Sequence, residues 1–151
     1  MEFPEYNFKP IEIPNYFKEL VGFQPKEMFS SDGNWIVAIA NTQEEIASCK
    51  PKFEQLENLG LGHLIVTAKS NDKRVDFVLR CFVPESGINE DPVTGSAHCV
   101  LTPLWSGVLN KTNMTSLQIS KRGGKLLVSN RNNSVEIKGK AITVFEATLK
   151  I

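Results

Sequence analysis

From about residue 94 to residue 109 the chain reads TGSAHCVLTPLWSGVL, a run at helical spacing that is apolar on nearly all sides. A helix without a polar face has to be enclosed, so whatever else the chain forms must wrap around it. Ala97, Val100, Leu101, Leu104, Trp105, Val108 and Leu109 make its apolar body. Pro103 lies inside it and is expected to remove one hydrogen bond and bend the axis. Beyond Asn110 the pattern changes to short strands at roughly 115–121, 125–129, 134–138 and 141–149, punctuated by Gly123-Gly124, Asn130-Arg131-Asn132-Asn133 and Gly139. Such a meander needs an apolar body against its inner face. The predicted fold class is therefore α+β, a curved mixed or antiparallel sheet wrapped around one central helix.

Upstream, Pro4, Pro10 and Pro14 stand among Phe3, Tyr6, Phe8, Ile11 and Ile13, which suits an extended segment over residues 1–14 that crosses a surface and buries alternate side chains. Tyr16, Phe17, Leu20 and Val21 predict a short helix ending at Gly22. Strands are expected at 27–31 and 35–40, either side of the turn Ser31-Asp32-Gly33-Asn34. Thr42 followed by Glu45 is a capping box for a helix reaching Cys49. A second helix runs from about 51 to 59 and stops at Gly60 and Gly62. Strands at 64–68 and 75–83 follow, joined by Ser70-Asn71-Asp72-Lys73. At 151 residues and 41% hydrophobic content, one core and a single domain over 1–151 are expected.

Seventeen basic residues balance seventeen acidic ones without forming long blocks. That leaves no field to collect nucleic acid or an anionic membrane, and neither partner is expected. No stretch approaches the roughly 20 apolar residues of a membrane span. The acidic, proline-broken start Met1-Glu2-Phe3-Pro4-Glu5 is unlike a signal peptide, so a cytoplasmic chain is expected. Cys49, Cys81 and Cys99 are too widely spaced for a disulfide framework or a CxxC site and read as packed thiols. No pair of His, Cys or Asp residues shows ligand spacing, so no metal site is expected. His63, between Gly62 and an apolar strand, has no partner in sequence and reads as structural.

Chemistry concentrates in Glu90-Asp91-Pro92-Val93-Thr94-Gly95-Ser96-Ala97-His98, directly before the apolar run. Asp91-Pro92 initiates a turn, because proline pushes the residue before it out of the helical region. Thr94, Gly95 and Ser96 then stand at a helix start, where unpaired amides and a partial positive charge can receive a carboxylate or phosphate. Asp91 is a candidate acid or base if its surroundings tune it, and Ser96 can donate a hydrogen bond or relay a proton. His98 lies two residues on and points away from Ser96 in a helix, as a core histidine would. The plainer and commoner use of the same pattern is an Asx-Pro turn with Thr94 as helix cap. Lys121-Arg122-Gly123-Gly124 lacks the spacing of a phosphate loop and reads as a hairpin turn.

At Arg80-Cys81-Phe82-Val83-Pro84, at the run from Gly87 to His98, at Leu104-Trp105 and at QISKRGG (118–124), the chain resembles the carboxyl-terminal half of the phenazine-biosynthesis PhzF-like proteins, relatives in fold of diaminopimelate epimerase. The resemblance implies two similar lobes, each a sheet curled around a helix, with an active site between the two helix amino termini. It implies cofactor-free isomerases that move a proton at carbon. Asp91 then corresponds to the second lobe's catalytic aspartate and Ser96 to its serine, while Thr94, Gly95 and Ser96 hold the ligand's carboxylate. The first lobe's Ser-Glu-Thr-Ala-type and Cys-Gly-His-type motifs are not found in this sequence, and Glu90 cannot be assumed to replace the missing glutamate. Residues 1–14 would then cross between lobes. The expected partners are a small carboxylate ligand and either a first-lobe polypeptide or a second copy in a homodimer. Terminal strands exchange between lobes in such folds, which would leave residues 142–149 partly unsupported.

Overall fold

A computed structural model describes residues 1–149 of the chain. Among these residues the strands are β1 (Glu2–Pro4), β2 (Phe8–Ile11), β3 (Glu27–Ser31), β4 (Ile36–Ile39), β5 (Leu64–Lys69), β6 (Phe77–Val83), β7 (Ile88–Asp91), β8 (Asn113–Gln118), β9 (Gly124–Arg131) and β10 (Ser134–Lys138). The helices are α1 (Phe17–Val21), α2 (Gln43–Ser48), α3 (Phe53–Asn58) and α4 (Ala97–Leu109). All strands join one sheet in the order β1-β10-β9-β8-β6-β5-β4-β3-β2, with β7 paired to β6 off that path. The sheet is mixed: β4 and β5 are parallel, as are β6 and β8. The α+β class with a curled sheet around one long helix is what the sequence predicts.

Curvature follows from the first eleven residues. They supply both β1, against β10, and β2, against β3, which are the two opposite edges of the sheet. Only Glu5, Tyr6 and Asn7 separate these strands, and four extended steps of backbone span at most about 14 Å. The edges are therefore drawn together over α4. Midway along the tie, the Tyr6 amide donates to the Cys99 carbonyl at 2.9 Å. In a regular helix that carbonyl would accept from residue 103, but Pro103 has no N–H to give. The proline thus frees the acceptor that anchors the tie.

Alternation along the strands divides the apolar residues between two faces. Val37, Ile65, Phe77, Leu79 and Cys81 pack on α4, while Ala38, Leu64, Val66, Val78 and Phe82 pack under α1, α2 and α3. The sequence predicts one core; the sheet carries a buried cluster on each face. α2 is opened by the expected capping box, the Thr42 hydroxyl accepting from the Glu45 amide at 3.2 Å.

Element ends shift by a few residues, as at β8, which runs Asn113–Gln118 where 115–121 is expected, and two differences are larger in consequence. α4 begins at Ala97 rather than Thr94, because residues 94–96 are held in a turn by side-chain bonds described below. The strand expected at 141–149 is not formed: the described residues beyond Lys138 have no regular structure, and Ile142, Val144, Phe145 and Leu149 are exposed. Their alternation suits a strand, but the outer side of β10, the strand that precedes them, is already occupied by β1.

Two residues pin α4 to the sheet. Trp105 stacks on Phe77 with ring centroids 5.6 Å apart, and its Nε1 donates to Thr67 Oγ1 at 3.0 Å, whose hydroxyl donates in turn to the Val78 carbonyl at 2.8 Å. His98, fully buried, has Nδ1 2.9 Å from the Thr94 carbonyl and Nε2 2.7 Å from Ser116 Oγ. It is the satisfied core histidine that the helical geometry implies. Trp105→Ala is expected to lower the free energy of unfolding by about 3–5 kcal/mol. Trp105→Phe, which keeps a ring but leaves Thr67 short of a donor, should cost only about 1–3 kcal/mol; urea titration distinguishes the two.

Burial pushes the His98 imidazole down from 6.5 to about 4. The fold favours its neutral form, so this contribution is complete above the unfolded-state value and is lost as pH falls from about 6.5 through about 4. Urea unfolding at stepped pH should show a decline on the order of 3 kcal/mol across that window. His98→Gln should flatten it.

Candidate active site

β7 and β8 share one edge of β6. β8 pairs with residues 77–79 and β7 with residues 81–83, so the two strands approach from opposite directions and end at Gln118 and Asp91, either side of Arg80. Strand ends leave backbone groups without ladder partners, and here a buried side chain takes them up. Gln118 Nε2 donates to the Asp91 carbonyl at 2.6 Å and to Thr94 Oγ1 at 3.1 Å, while its Oε1 accepts from the Thr94 amide at 2.8 Å. Because Thr94 Oγ1 accepts from Gln118, its own proton is directed to Asp91 Oδ2. Asp91 is thereby fixed as a hydrogen-bond acceptor, and no donor among the described residues reaches its second oxygen.

The hairpin between β8 and β9 buttresses this turn. Ser120 Oγ donates to the Pro92 carbonyl at 2.7 Å and accepts from the Gly123 amide at 3.1 Å. Gly123 adopts φ +71°, and a Cβ on Gly124 would strike the Val93 side chain. Lys121-Arg122-Gly123-Gly124 is thus the hairpin turn its sequence suggests, with the second glycine making room for the motif.

Thr94 is not the cap of α4, as the plain reading has it. Its hydroxyl and amide are committed to Asp91 and Gln118, and the residue at the cap position, Ser96, makes no side-chain cap bond. The amides of Gly95 and Ser96 donate to no acceptor among the described residues. Both residues are exposed, and a Cβ on Gly95 would meet open space. An approaching anion would find two free donors at the positive end of a 13-residue helix.

Glu90 and Asp91 are neighbours with opposite surroundings, because successive strand residues face opposite sides. Glu90 turns toward α2 and takes a two-pronged ion pair from Arg80, at 2.8 and 2.9 Å. Arg80 also reaches the Ile46 and Cys49 carbonyls, both at 3.1 Å. That pairing raises the guanidinium's pKa and leaves Glu90 no part in the chemistry on the other face.

Asp91, Thr94 and Ser96 line one open groove of about 450 Å³. The sequence motif supplies these three; the structure adds Tyr6, Trp35, His63, Ser86 and Ile88 from elsewhere in the chain. His63, read from the sequence as structural, contacts Ser86 and Glu85 and borders the groove. Gln118 was visible only as the first residue of a family-like stretch. The three thiols are all buried and free. Burial pushes Cys49 up to about 11 and Cys81 to about 12, and raises Cys99, which fits packed thiols rather than nucleophiles. Among the described residues no group of three His, Cys, Asp or Glu side chains could hold a metal, and no helix is long and apolar enough to cross a membrane.

Comparison with known proteins identifies the family and the fold. The family model described as phenazine biosynthesis-like protein matches residues 14–147. An uncharacterized isomerase of Halalkalibacterium halodurans is 37% identical over 150 residues, which is 99% of this chain and 56% of the relative. An uncharacterized isomerase of Pseudomonas aeruginosa is 34% identical over 151 residues, all of this chain and 57% of the relative. A crystal structure of a phenazine biosynthesis PhzC/PhzF protein from Clostridium difficile superposes with a TM-score of 0.86 at 37% identity, covering 100% of this chain and 57% of that one. The chain therefore spans little more than half the length of these relatives, and by its sequence and its fold it belongs to the phenazine biosynthesis-like PhzC/PhzF family.

Proposed function

We propose that this chain supplies one wall of a cofactor-independent proton-transfer site, of isomerase or epimerase type, for a small metabolite bearing a carboxylate. The observation that carries the reading is the Asp91 side chain on the wall of the groove, held as an acceptor by the Thr94 hydroxyl that Gln118 orients, with no donor among the described residues on its second oxygen. Asp91 acts as the acid/base that exchanges a proton with a substrate carbon. Gly95 and Ser96 receive the carboxylate on their amides, Thr94 borders that cradle and holds Asp91 beside it, and the Ser96 hydroxyl donates to the ligand or relays a proton. The relatives from H. halodurans and P. aeruginosa are named isomerases, which supports the reaction class.

In this reading the chain is the carboxyl-terminal lobe, and residues 1–14 cross from the first lobe. The opposing acid/base comes from a first-lobe polypeptide or from a second copy in a homodimer. The span of about 57% of the relatives supports a partial assembly. So does the exposed apolar row at Ile142, Val144, Phe145 and Leu149, which a partner would cover. A second reading, a carboxylate-binding half without turnover, is favoured by one observation: Asp91 is the sole carboxylate lining the groove among the described residues, Glu90 being held by Arg80.

The chain, alone and mixed with a first-lobe polypeptide, would be incubated with small carboxylic acids in D2O and deuterium uptake at carbon followed by NMR. Exchange is expected in the complete assembly and should fall by about 10²-fold or more in Asp91→Asn. Exchange indifferent to that change would remove Asp91 from the acid/base role. Ligand binding without exchange in either mixture selects the second reading. Light scattering should show a dimer, and a monodisperse monomer at high concentration would speak against homodimeric completion.

A further inference from the structure

β6 runs into a single 3-10 turn, Pro84–Ser86, closed by Gly87 at φ +80° with its amide on the Pro84 carbonyl at 2.9 Å. From this turn two adjacent side chains reach the same imidazole at opposite ends. Ser86 Oγ lies 3.1 Å from His63 Nε2, and Glu85 Oε2 lies 3.2 Å from His63 Nδ1. A carboxylate 3.2 Å from Nδ1 favours a proton on that nitrogen, which leaves the lone pair on Nε2 to accept from the serine hydroxyl. This is the order of nucleophile, base and orienting acid that activates a serine.

The surroundings hold that order in place. Trp35 meets the His63 ring edge-on, with centroids 5.7 Å apart and planes at 88°. The His63 carbonyl is tied to the Ile36 amide at 2.9 Å. Gly62 makes room for the acid, since a Cβ there would fall on the Glu85 side chain. The backbone at Gly62 is outside the left-handed region, so its conformation does not require glycine, whereas the position of the Glu85 carboxylate does. Ser86 is exposed and faces the groove, beside Val83, Ile88 and Trp35. Ser96, with its unpaired amide, lines the same groove.

We propose that Ser86, His63 and Glu85 form a second catalytic centre, an acyl-transfer site for small carboxylic esters with an apolar acyl group. Ser86 Oγ bonds to the ester carbonyl carbon as its proton passes to His63 Nε2. The tetrahedral species collapses by breaking the bond to the alcohol oxygen, which takes the proton back from His63, leaving acyl-Ser86 and free alcohol. Water, losing a proton to His63, then attacks the acyl carbon. Departure of Ser86 Oγ with that proton releases the carboxylic acid and restores the serine. The apolar wall at Val83, Ile88 and Trp35 receives the acyl group, and a groove amide such as that of Ser96 stabilises the oxyanion.

The 151-residue chain would be assayed with 4-nitrophenyl acetate and butyrate, and separately treated with a fluorophosphonate whose adduct is located by mass spectrometry. Turnover above buffer and an adduct on Ser86 are expected. Ser86→Ala and His63→Gln should each lower the rate at least a hundredfold. Gly62→Ala leaves all three groups in the chain but displaces Glu85, and should lower kcat at least tenfold with an unchanged circular dichroism spectrum. Absence of turnover, an adduct elsewhere, or a Ser86→Ala variant that keeps the rate would overturn the assignment. The adduct on the unaltered chain decides the matter even if a variant fails to fold.

Discussion

Strand β6 is the constraint on which the rest of the structure depends. One of its edges is filled by β5 and the other is divided between β8 and β7, and its residues are buried on both faces. A strand in that position has to be apolar, and β6 is apolar but for Arg80. An unpaired guanidinium there would be costly, and Glu90 together with two carbonyls of the α2 region satisfies it. Arg80 also stands where β7 and β8 meet. The polar member of the central strand therefore marks the one interruption in its second edge, and the groove opens beside that interruption.

The two carboxylates at the end of β7 show how the pleat sorts chemistry. Glu90 belongs to the face covered by the short helices and is consumed by Arg80; Asp91 belongs to the face of α4 and is reached by a buried amide and a hydroxyl. Shifting the register of β7 by one residue would exchange them. The irregularity between Phe82 and Val83, where β7 slips relative to β6, and the clasp of Gln118 on the Asp91 carbonyl both belong to the apparatus that prevents such a shift.

Much of this was legible in the sequence because it is encoded locally. The apolar run of α4 demanded enclosure, Thr42 and Glu45 announced α2, and Gly123-Gly124 marked the hairpin. β7 carried no such signal: Ile88-Asn89-Glu90-Asp91 is polar and exists only because β6 has a free half-edge. The alternation over 141–149 looked like a strand for the converse reason, since pattern cannot report whether an edge is available. Thr94 had the composition of a cap but was claimed by Gln118, 24 positions away. His63 seemed solitary because its partners come from a turn 22 and 23 residues later. Site chemistry resists sequence reading wherever the partner is chosen by topology rather than spacing.

The tie formed by residues 2–11 has a consequence for how the molecule is made. β1 pairs with β10 in a register joining Glu2 to Glu136, so β1 waits for a partner made long after it. Until then β2 can settle on β3, but α4 has no closed sheet around it. Contacts of such long sequence separation form slowly and leave apolar surface uncovered in the interval. Closure is accordingly a late event, and the apolar surface of α4 stays uncovered until β10 is in place.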